Sequence, residues 1–247
     1  MSGQMLKESG YPYRSKRRPE MTYFRKLAIS AGILWIVYTS VDVLSFLFLG
    51  PVTAPDYLVR ISENSGLVGT GAFLLLIGGA CASGIAISLY PVLKKFNAAL
   101  ALAAVGFRIT EGVLRFVSVC ALLSLITLSQ QFVQAGAPDS PYYQTLGELI
   151  YAAKGWVGNV GSLFAFSIGC SLYYVIFYRA RLVPRWISVW GLVFGIMGIV
   201  SCGLVSIGLI APFGTVQVVM IIPMLPQEMV LAVWLIVKGF NPVAIAS

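Results

Sequence analysis

The sequence predicts an all-α, polytopic membrane protein: a bundle of six transmembrane helices with both termini in the cytoplasm. Hydrophobic residues make up 58% of the 247 residues and charged residues only 11%, whereas soluble domains carry roughly 25% charged residues. The apolar residues fall into six runs, each long enough to supply the roughly 20 residues that a helix needs to cross a bilayer. Basic residues cluster on alternate sides of these runs, as the loops of membrane proteins do.

The first 26 residues form a polar and basic segment, which we expect to be a disordered cytoplasmic tail (residues 1–26). Its densest cluster of charge is Arg14-Ser-Lys-Arg-Arg18. Such a cluster beside a membrane binds anionic lipid head groups with about 1 kcal/mol for each basic residue. The alternative is that the tail only sets the orientation of the chain. Either role accounts for the net charge of +8 without nucleic acid as a partner.

A single transmembrane domain follows over residues 27–242. Turn-forming residues such as Gly50-Pro51, Ala137-Pro138 and Ala211-Pro212 separate its apolar runs. The predicted transmembrane helices are approximately residues 27–50, 65–92, 97–129, 147–178, 186–211 and 214–238.

The distribution of charge predicts which side of the membrane each joint faces. Loops rich in Lys and Arg stay on the cytoplasmic side. One side receives only Arg60 as a basic residue, next to Asp56, Glu63 and Asp139. The other side receives the tail together with Lys94, Lys95, Arg179, Arg181, Arg185 and Lys238. Both termini are therefore predicted to be cytoplasmic.

Several kinds of catalytic and metal site are excluded by composition. The sequence contains no histidine, which excludes an imidazole-ligated zinc site, a Ser-His-Asp triad and a histidine proton relay on this sequence. The four cysteines lie in different apolar runs and form no Cys-x-x-Cys motif. We interpret them as packing residues, and we expect neither a metal nor another cofactor.

Ionisable residues inside the apolar runs are the candidate functional residues. The third run contains Arg108, Glu111 and Arg115, whose spacing places them on one face of a helix, so that Glu111 can bridge both arginines. Three charges inside a bilayer cost on the order of 7–10 kcal/mol, close to what the apolar residues of this run contribute to its insertion. The third helix therefore needs polar partners on other helices.

Residues of three other runs can supply these partners. Asp42 lies well inside the first run, Lys154 in the outer part of the fourth, and Glu228 in the middle of the sixth, directly after Gln227. Three acidic groups would then balance three basic ones, as a low dielectric constant demands of buried charges. Arg108 and Glu228 match in depth within about one helical turn, but the sequence leaves their pairing open.

Two prolines interrupt the sixth run just before these polar residues. Pro223 and Pro226 each remove a backbone donor and free a carbonyl one turn earlier, and in lipid such carbonyls must face protein or water. Helix breaks beside buried polar groups recur at the substrate and ion sites of transporters. The alternative is that the break only fits the sixth helix around its neighbours.

Three parts of the sequence resemble a known family. They are residues 89–97 with 106–112, residues 182–191, and residues 226–242, the last of which reads Pro-Gln-Glu-Met-Val-Leu-Ala-Val-Trp-Leu-Ile-Val-Lys-Gly-Phe-Asn-Pro. They resemble the bacterial membrane family known as domain of unknown function 4386, over about residues 27–242. The resemblance implies a multi-helix protein of the bacterial cytoplasmic membrane and implies no activity.

The candidate residues fit three functions. In a carrier for a proton or small ligand, Glu111 and Glu228 would bind a cation while Arg108 and Arg115 would tune them or hold an anion. In a non-catalytic scaffold or partner subunit, the buried ion pairs would only hold helices together, and the surface would favour a homo-oligomer. In an intramembrane enzyme acting on lipid, one of the carboxyl groups would serve as acid or base, although no Gly-x-Ser-x-Gly motif is present.

Overall fold

A computed structural model describes residues 17–49, 56–137, 141–212 and 214–246 of the chain. All the regular structure in these residues is helical. The helices are α1 (Arg17–Leu49), α2 (Tyr57–Glu63), α3 (Ser65–Leu93), α4 (Ala98–Gln134), α5 (Pro141–Gly155), a π-helical segment (Trp156–Ser162), α6 (Leu163–Ala180), α7 (Arg185–Ser206), α8 (Thr215–Ile221), α9 (Met224–Val237) and α10 (Pro242–Ala246).

Six helical segments of the described chain are long and apolar enough to cross a membrane. They match the six predicted runs one to one, so the prediction of an all-α, multi-span membrane protein is confirmed. The fourth span joins α5, the π-helical segment and α6, and the sixth joins α8 and α9. The segments are Tyr23–Phe48, Ser65–Leu93, Ala98–Gln134, Pro141–Ala180, Arg185–Ser206 and Thr215–Val237.

Two helices begin earlier than hydropathy predicts. α1 begins at Arg17 rather than at residue 27, with Pro19 in its first turn, where a missing backbone N–H leaves no helical bond unmade. α5 begins at Pro141 rather than at residue 147, and proline is favoured at a first helical position. The added N-terminal residues of both helices are more polar than the apolar runs that follow them, so a prediction from hydropathy does not include them. The rest of the predicted tail, residues 1–16, lies outside the described residues.

The helices pack in a closed arrangement. α3 lies between α1 and α4, α6 lies between α4 and α7, and α9 returns to pack against α1. Gly79 and Gly112 bring α3 and α4 together, because a Cβ on Gly112 would lie only 2.7 Å from the carbonyl oxygen of Gly79. This close approach holds the stretch of α4 that contains Glu111 in the interior of the bundle.

Large aromatic side chains fill the core on both sides of that stretch. Trp35, Tyr173, Tyr174 and Phe177 are fully buried, and the rings of Trp35 and Tyr173 meet edge to face with 5.6 Å between their centroids. The outer surface of the bundle is apolar as well, with exposed residues such as Phe46, Phe73, Leu102, Val193 and Val219. An apolar surface of this kind is suited to contact with lipid.

Arg25 joins the first helix to the end of the last span. Its guanidinium group donates to the carbonyl oxygens of Leu235 at 3.0 Å, Ile236 at 2.5 Å and Val237 at 3.1 Å. These carbonyl groups belong to the last turn of α9, where no following backbone N–H of the helix is available to bond to them. The start of α1 and the end of α9 therefore lie at the same end of the bundle, as an even number of spans requires.

Candidate functional site

The predicted row of charges is present on α4. Arg108 Nη1 lies 2.7 Å from Glu111 Oε2, and Arg115 Nε lies 3.2 Å from Glu111 Oε1. The side chains of Arg108 and Glu111 are 0% exposed. Glu111 thus bridges both arginines, as the spacing of three and four residues on one helix predicts.

Helix α1 completes this cluster from the side. Arg115 Nη1 lies 2.6 Å from Asp42 Oδ1, and the exposed fractions of the two side chains are 16% and 26%. Arg115 Nη2 also donates to the hydroxyl of Tyr38, which in turn donates to Glu111 Oε1 at 2.8 Å. We refer to Asp42, Arg108, Glu111, Arg115 and Tyr38 as the charge network. It runs from the fully buried Arg108 to the partly exposed Asp42.

Aromatic rings surround the buried end of the charge network. The guanidinium carbon of Arg108 lies 5.2 Å from the ring centroid of Tyr38 and 5.0 Å from that of Phe166 on α6. Both distances suit cation–π attraction, which is stronger in a desolvated site. None of the three guanidinium nitrogens of Arg108 has a hydrogen-bond partner in the described structure, so the ion pair with Glu111 and the two rings supply the compensation for this buried cation.

Glu228 is buried on α9 in a different environment. It is 1% exposed, and its Oε1 accepts a hydrogen bond of 3.0 Å from Trp35 Nε1. No lysine or arginine of the described chain lies within 4.0 Å of its carboxylate oxygens. The pairing of Arg108 with Glu228, which the sequence left open, is therefore not formed, because the carboxylate at ion-pair distance from Arg108 is that of Glu111.

Gln227 connects α9 to two other helices. Its Oε1 accepts a hydrogen bond of 2.7 Å from the hydroxyl of Tyr174 on α6. Its Nε2 donates to the carbonyl oxygen of Ile187 on α7 at 3.2 Å. The amide thus uses both its donor and its acceptor to hold α9 in position beside α6 and α7.

The predicted balance of three acids against three bases is only partly formed. Lys154 lies near the end of α5 and forms no ion pair with any described residue. Its Nζ lies 5.6 Å from the ring centroid of Tyr151 instead. A long lysine side chain can direct its charge towards the membrane surface from such a position. The ion pairs therefore join α1 and α4, and the fourth span contributes Phe166 rather than Lys154.

Pro223 and Pro226 lie at the division between α8 and α9 in the sixth span. α8 ends at Ile221, and Pro223 is the residue that precedes α9. Pro226 lies in the first turn of α9, where its missing N–H leaves no helical hydrogen bond unmade. Glu228 follows the break by about one turn.

Residues 30–239 match the model of a family described as Domain of unknown function (DUF4386). The chain belongs to the DUF4386 family. No curated protein and no solved structure matches it. The resemblance noted in the sequence is therefore confirmed, and membership of DUF4386 supplies no activity. The matched range contains all the residues of the charge network, Lys154, both prolines, Gln227 and Glu228.

A π-helical segment in this DUF4386 chain was missed by the sequence analysis. It covers Trp156–Ser162 in the middle of the fourth span and lies against α4, where Gly158 faces Ser118. Just before it, on α5, the carbonyl oxygen of Lys154 accepts a hydrogen bond of 3.1 Å from Ser118 Oγ. Segments of π-helix occur often at functional sites. The spacing of Gly155, Gly158 and Gly161 was a signal for an irregular helix, because glycine weakens helical regularity.

Trp35 was also missed, although a signal for it was present. It precedes Tyr38 by three residues and Asp42 by seven, a spacing that places all three on one face of α1. The indole N–H of Trp35 is an uncharged donor on the same face of α1 as Asp42, and this was the signal for its role.

The polar groups of the charge network and of Glu228 are carboxyl, guanidinium and hydroxyl groups. No group of three Cys, Asp or Glu residues is placed to hold a metal ion in the part of the chain that the structure describes. The charge network combines two arginines, two carboxyl groups and a tyrosine hydroxyl, and Glu228 lies apart from it on α9.

Proposed function

We propose that this DUF4386 protein is a carrier for protons, alone or with a small ligand, in which Glu228 is the group that binds and releases the proton. The proposal depends on one observation: Glu228 is 1% exposed, and its described surroundings offer a hydrogen bond from Trp35 but no cation at ion-pair distance. A charged carboxylate without a cation is costly in a low dielectric. Binding of a proton by Glu228 is therefore coupled to any change in its surroundings.

The break in the sixth span supports this role. α9 begins directly after Pro223, so Glu228 lies near the N-terminal end of a half-helix. Discontinuous helices of this kind form the binding sites of many transporters near the middle of the bilayer. A break also gives α8 and α9 a point about which they can move relative to each other.

The charge network provides a polar connection between the surface and the interior. Asp42 and Arg115 are partly exposed, whereas Glu111 and Arg108 are fully buried. The hydroxyl of Tyr38 bonds to both Arg115 and Glu111. In the proposed carrier, this row of donors and acceptors is the path by which a proton or an accompanying anion reaches the centre of the bundle.

Proton flux in liposomes tests the proposal. The full chain is reconstituted with a pH-sensitive dye inside, a pH gradient is imposed, and potassium with valinomycin clamps the membrane potential. We expect the wild-type protein to acidify the interior well above the rate in protein-free liposomes. Glu228→Gln should reduce the rate to that background, because glutamine keeps the bond from Trp35 but binds no proton.

Glu148→Gln is the matched control, since Glu148 is an exposed acid on α5. It should retain the wild-type rate. A wild-type rate equal to that of protein-free liposomes, or a Glu228→Gln variant as active as the control, would overturn the proposal.

A second candidate is a membrane scaffold or partner subunit. The observation that favours it is that Asp42, Arg108, Glu111 and Arg115 are all paired with one another, with Arg108 and Glu111 closed to solvent. Such pairs select one arrangement of helices without transporting anything. It predicts no proton flux and a defined homo-oligomer, which analytical ultracentrifugation in detergent would detect. For either role we propose the cytoplasmic membrane of a bacterium as the location, which is what the family resemblance implies.

A further inference from the structure

A second polar site lies at the end of the bundle that holds the start of α7 and the end of α9. It is a cavity of about 510 Å³ lined by the cationic side chains of Arg181, Arg185 and Lys238, together with Trp234 and Asn241. All three cationic residues are exposed. None of them forms an ion pair with a described residue. The cavity is therefore a concentration of positive charge without an acidic counterpart among the described residues.

Two hydrogen bonds from Asn241 join the two distant parts of the chain that carry the cationic residues. The N–H of Asn241 donates to the carbonyl oxygen of Leu182 at 2.9 Å, and Asn241 Nδ2 donates to that of Arg181 at 3.2 Å. Arg181 has a φ of 53°, in the left-handed region, and ends α6. The loop that carries Arg181 and Arg185 is thus attached to the segment that follows Lys238, so the cavity is preorganised.

An apolar groove continues from this cavity along α9. It has a volume of about 420 Å³ and is lined by Val230, Val233 and Val237, with Trp234 and Lys238. Trp234 and Lys238 also line the basic cavity, so the two spaces share a wall. Val233 and Val237 are 53% and 62% exposed on the outer surface of the bundle. A cationic cavity therefore adjoins an apolar groove on a surface that faces lipid.

We propose that the basic cavity binds the phosphate of an anionic phospholipid, whose acyl chain lies in the groove along α9. The charge of the cavity is complementary to phosphate, and the guanidinium groups of Arg181 and Arg185 can each donate two hydrogen bonds to it. Tryptophan is enriched at the level of lipid head groups, and basic pockets between transmembrane helices bind anionic lipids. A free phosphate ion is also an anion but makes no use of the groove.

Thermal unfolding of the full-length protein in detergent tests this site. Phosphatidylglycerol, phosphatidylcholine and inorganic phosphate are titrated separately, and the shift in Tm gives an apparent Kd. We expect phosphatidylglycerol to raise Tm, while phosphatidylcholine and inorganic phosphate leave it nearly unchanged. The double variant Arg181→Gln/Lys238→Gln should raise the apparent Kd for phosphatidylglycerol at least tenfold.

Arg179→Gln is the matched control, because Arg179 is an exposed arginine in the last turn of α6 that does not line the cavity. It should keep the wild-type Kd. Arg185→Gln gives an independent reading if the double variant folds poorly, and it too should weaken binding. A rise in the apparent Kd of Arg179→Gln as large as that of the double variant would indicate non-specific attraction. A rise in Tm with phosphatidylcholine or inorganic phosphate as large as that with phosphatidylglycerol would indicate a different ligand. Each of these results overturns the proposal.

Discussion

Arg108 and Glu228 are both buried in the centre of the bundle, and they differ in how their charge is compensated. Arg108 lies 2.7 Å from the Glu111 carboxylate and close to two aromatic rings. Glu228 receives a single hydrogen bond from Trp35. Loss of the Glu111 charge would leave the buried Arg108 without its ion pair. Neutralising Glu228 instead removes a buried charge that has no ion pair among the described residues. The two acids should therefore respond in opposite ways to the same substitution.

Glu111→Gln should destabilise the protein strongly. The substitution leaves Arg108 buried without a counter-charge, and breaking a buried ion pair in this way costs about 3–5 kcal/mol. Unfolding by SDS titration in mixed micelles measures the change. Glu63→Gln is the control, because Glu63 is an exposed acid at the end of α2; a Glu111→Gln variant as stable as this control would contradict the role assigned to Glu111.

Glu228→Gln should leave the free energy of unfolding unchanged or increase it by about 1 kcal/mol. The amide oxygen of glutamine can still accept the bond from Trp35, and the cost of burying a charge is removed. The same SDS titration measures it. A loss as large as that of Glu111→Gln would mean that Glu228 is held by a cation, which would contradict the description of its surroundings.

At the level of residues, the sequence predicted contacts within a helix better than contacts between helices. The bridge from Glu111 to both arginines follows from helical spacing alone. The contact between Asp42 and Arg115 was anticipated only as one of several pairings between runs. The predicted ion pairing of Lys154 with the buried acids is absent among the described residues. The position of Lys154 depends on how the fourth span is rotated and on where its π-helical segment lies. The bond from Trp35 to Glu228 was not predicted because it joins α1 to α9, and the relative rotation of two helices does not follow from their spacing patterns.

At the level of elements, the fourth span departs most from what hydropathy predicts. The sequence predicted one continuous helix over residues 147–178, whereas α5 and α6 are joined by the π-helical segment Trp156–Ser162. Hydropathy cannot distinguish a continuous α-helix from one interrupted by a π-helical segment, because the same apolar residues form the span in either case. The irregular segment has its own packing, since Gly158 lies against Ser118 of α4.

Gly158→Ala should destabilise the protein by about 1–3 kcal/mol. A Cβ at this position would lie 2.6 Å from Ser118 Oγ, so α4 and the π-helical segment would have to separate. Gly106→Ala is the control, because a Cβ there meets no atom within 4 Å and alanine favours a helix. The double variant Gly158→Ala/Ser118→Ala should recover part of the loss; unfolding measurements that show no recovery would contradict the proposed clash.

At the level of the whole molecule, the number of spans followed from composition and the arrangement of the spans did not. Six apolar runs became six membrane-spanning segments, because a helix in lipid must satisfy its own backbone. The contact between α9 and α1 depends on surface shape, which one sequence does not give. Likewise, the close approach of Gly79 to Gly112 is one of many that the glycines of this chain permit.

The charge distribution predicts that the C-terminus is cytoplasmic. A green fluorescent protein fused after residue 247 should therefore fluoresce in bacterial cells, because green fluorescent protein becomes fluorescent only on the cytoplasmic side. Alkaline phosphatase fused at the same place should be inactive. The contact of Arg25 with α9 puts the start of α1 at the same end. An active phosphatase fusion would reverse the predicted orientation of the whole bundle.

The bond between Arg25 and the end of α9 also has a consequence for the order in which the protein is assembled. The ribosome delivers α1 before α9, and the carbonyl groups of Leu235, Ile236 and Val237 that Arg25 binds lie 210, 211 and 212 residues further along the chain. Until α9 has been synthesised, the face of α1 that packs against it therefore stays uncovered. The contact between α1 and α9 can form only after the sixth span has entered the membrane, so the bundle closes later than any of the first five spans inserts.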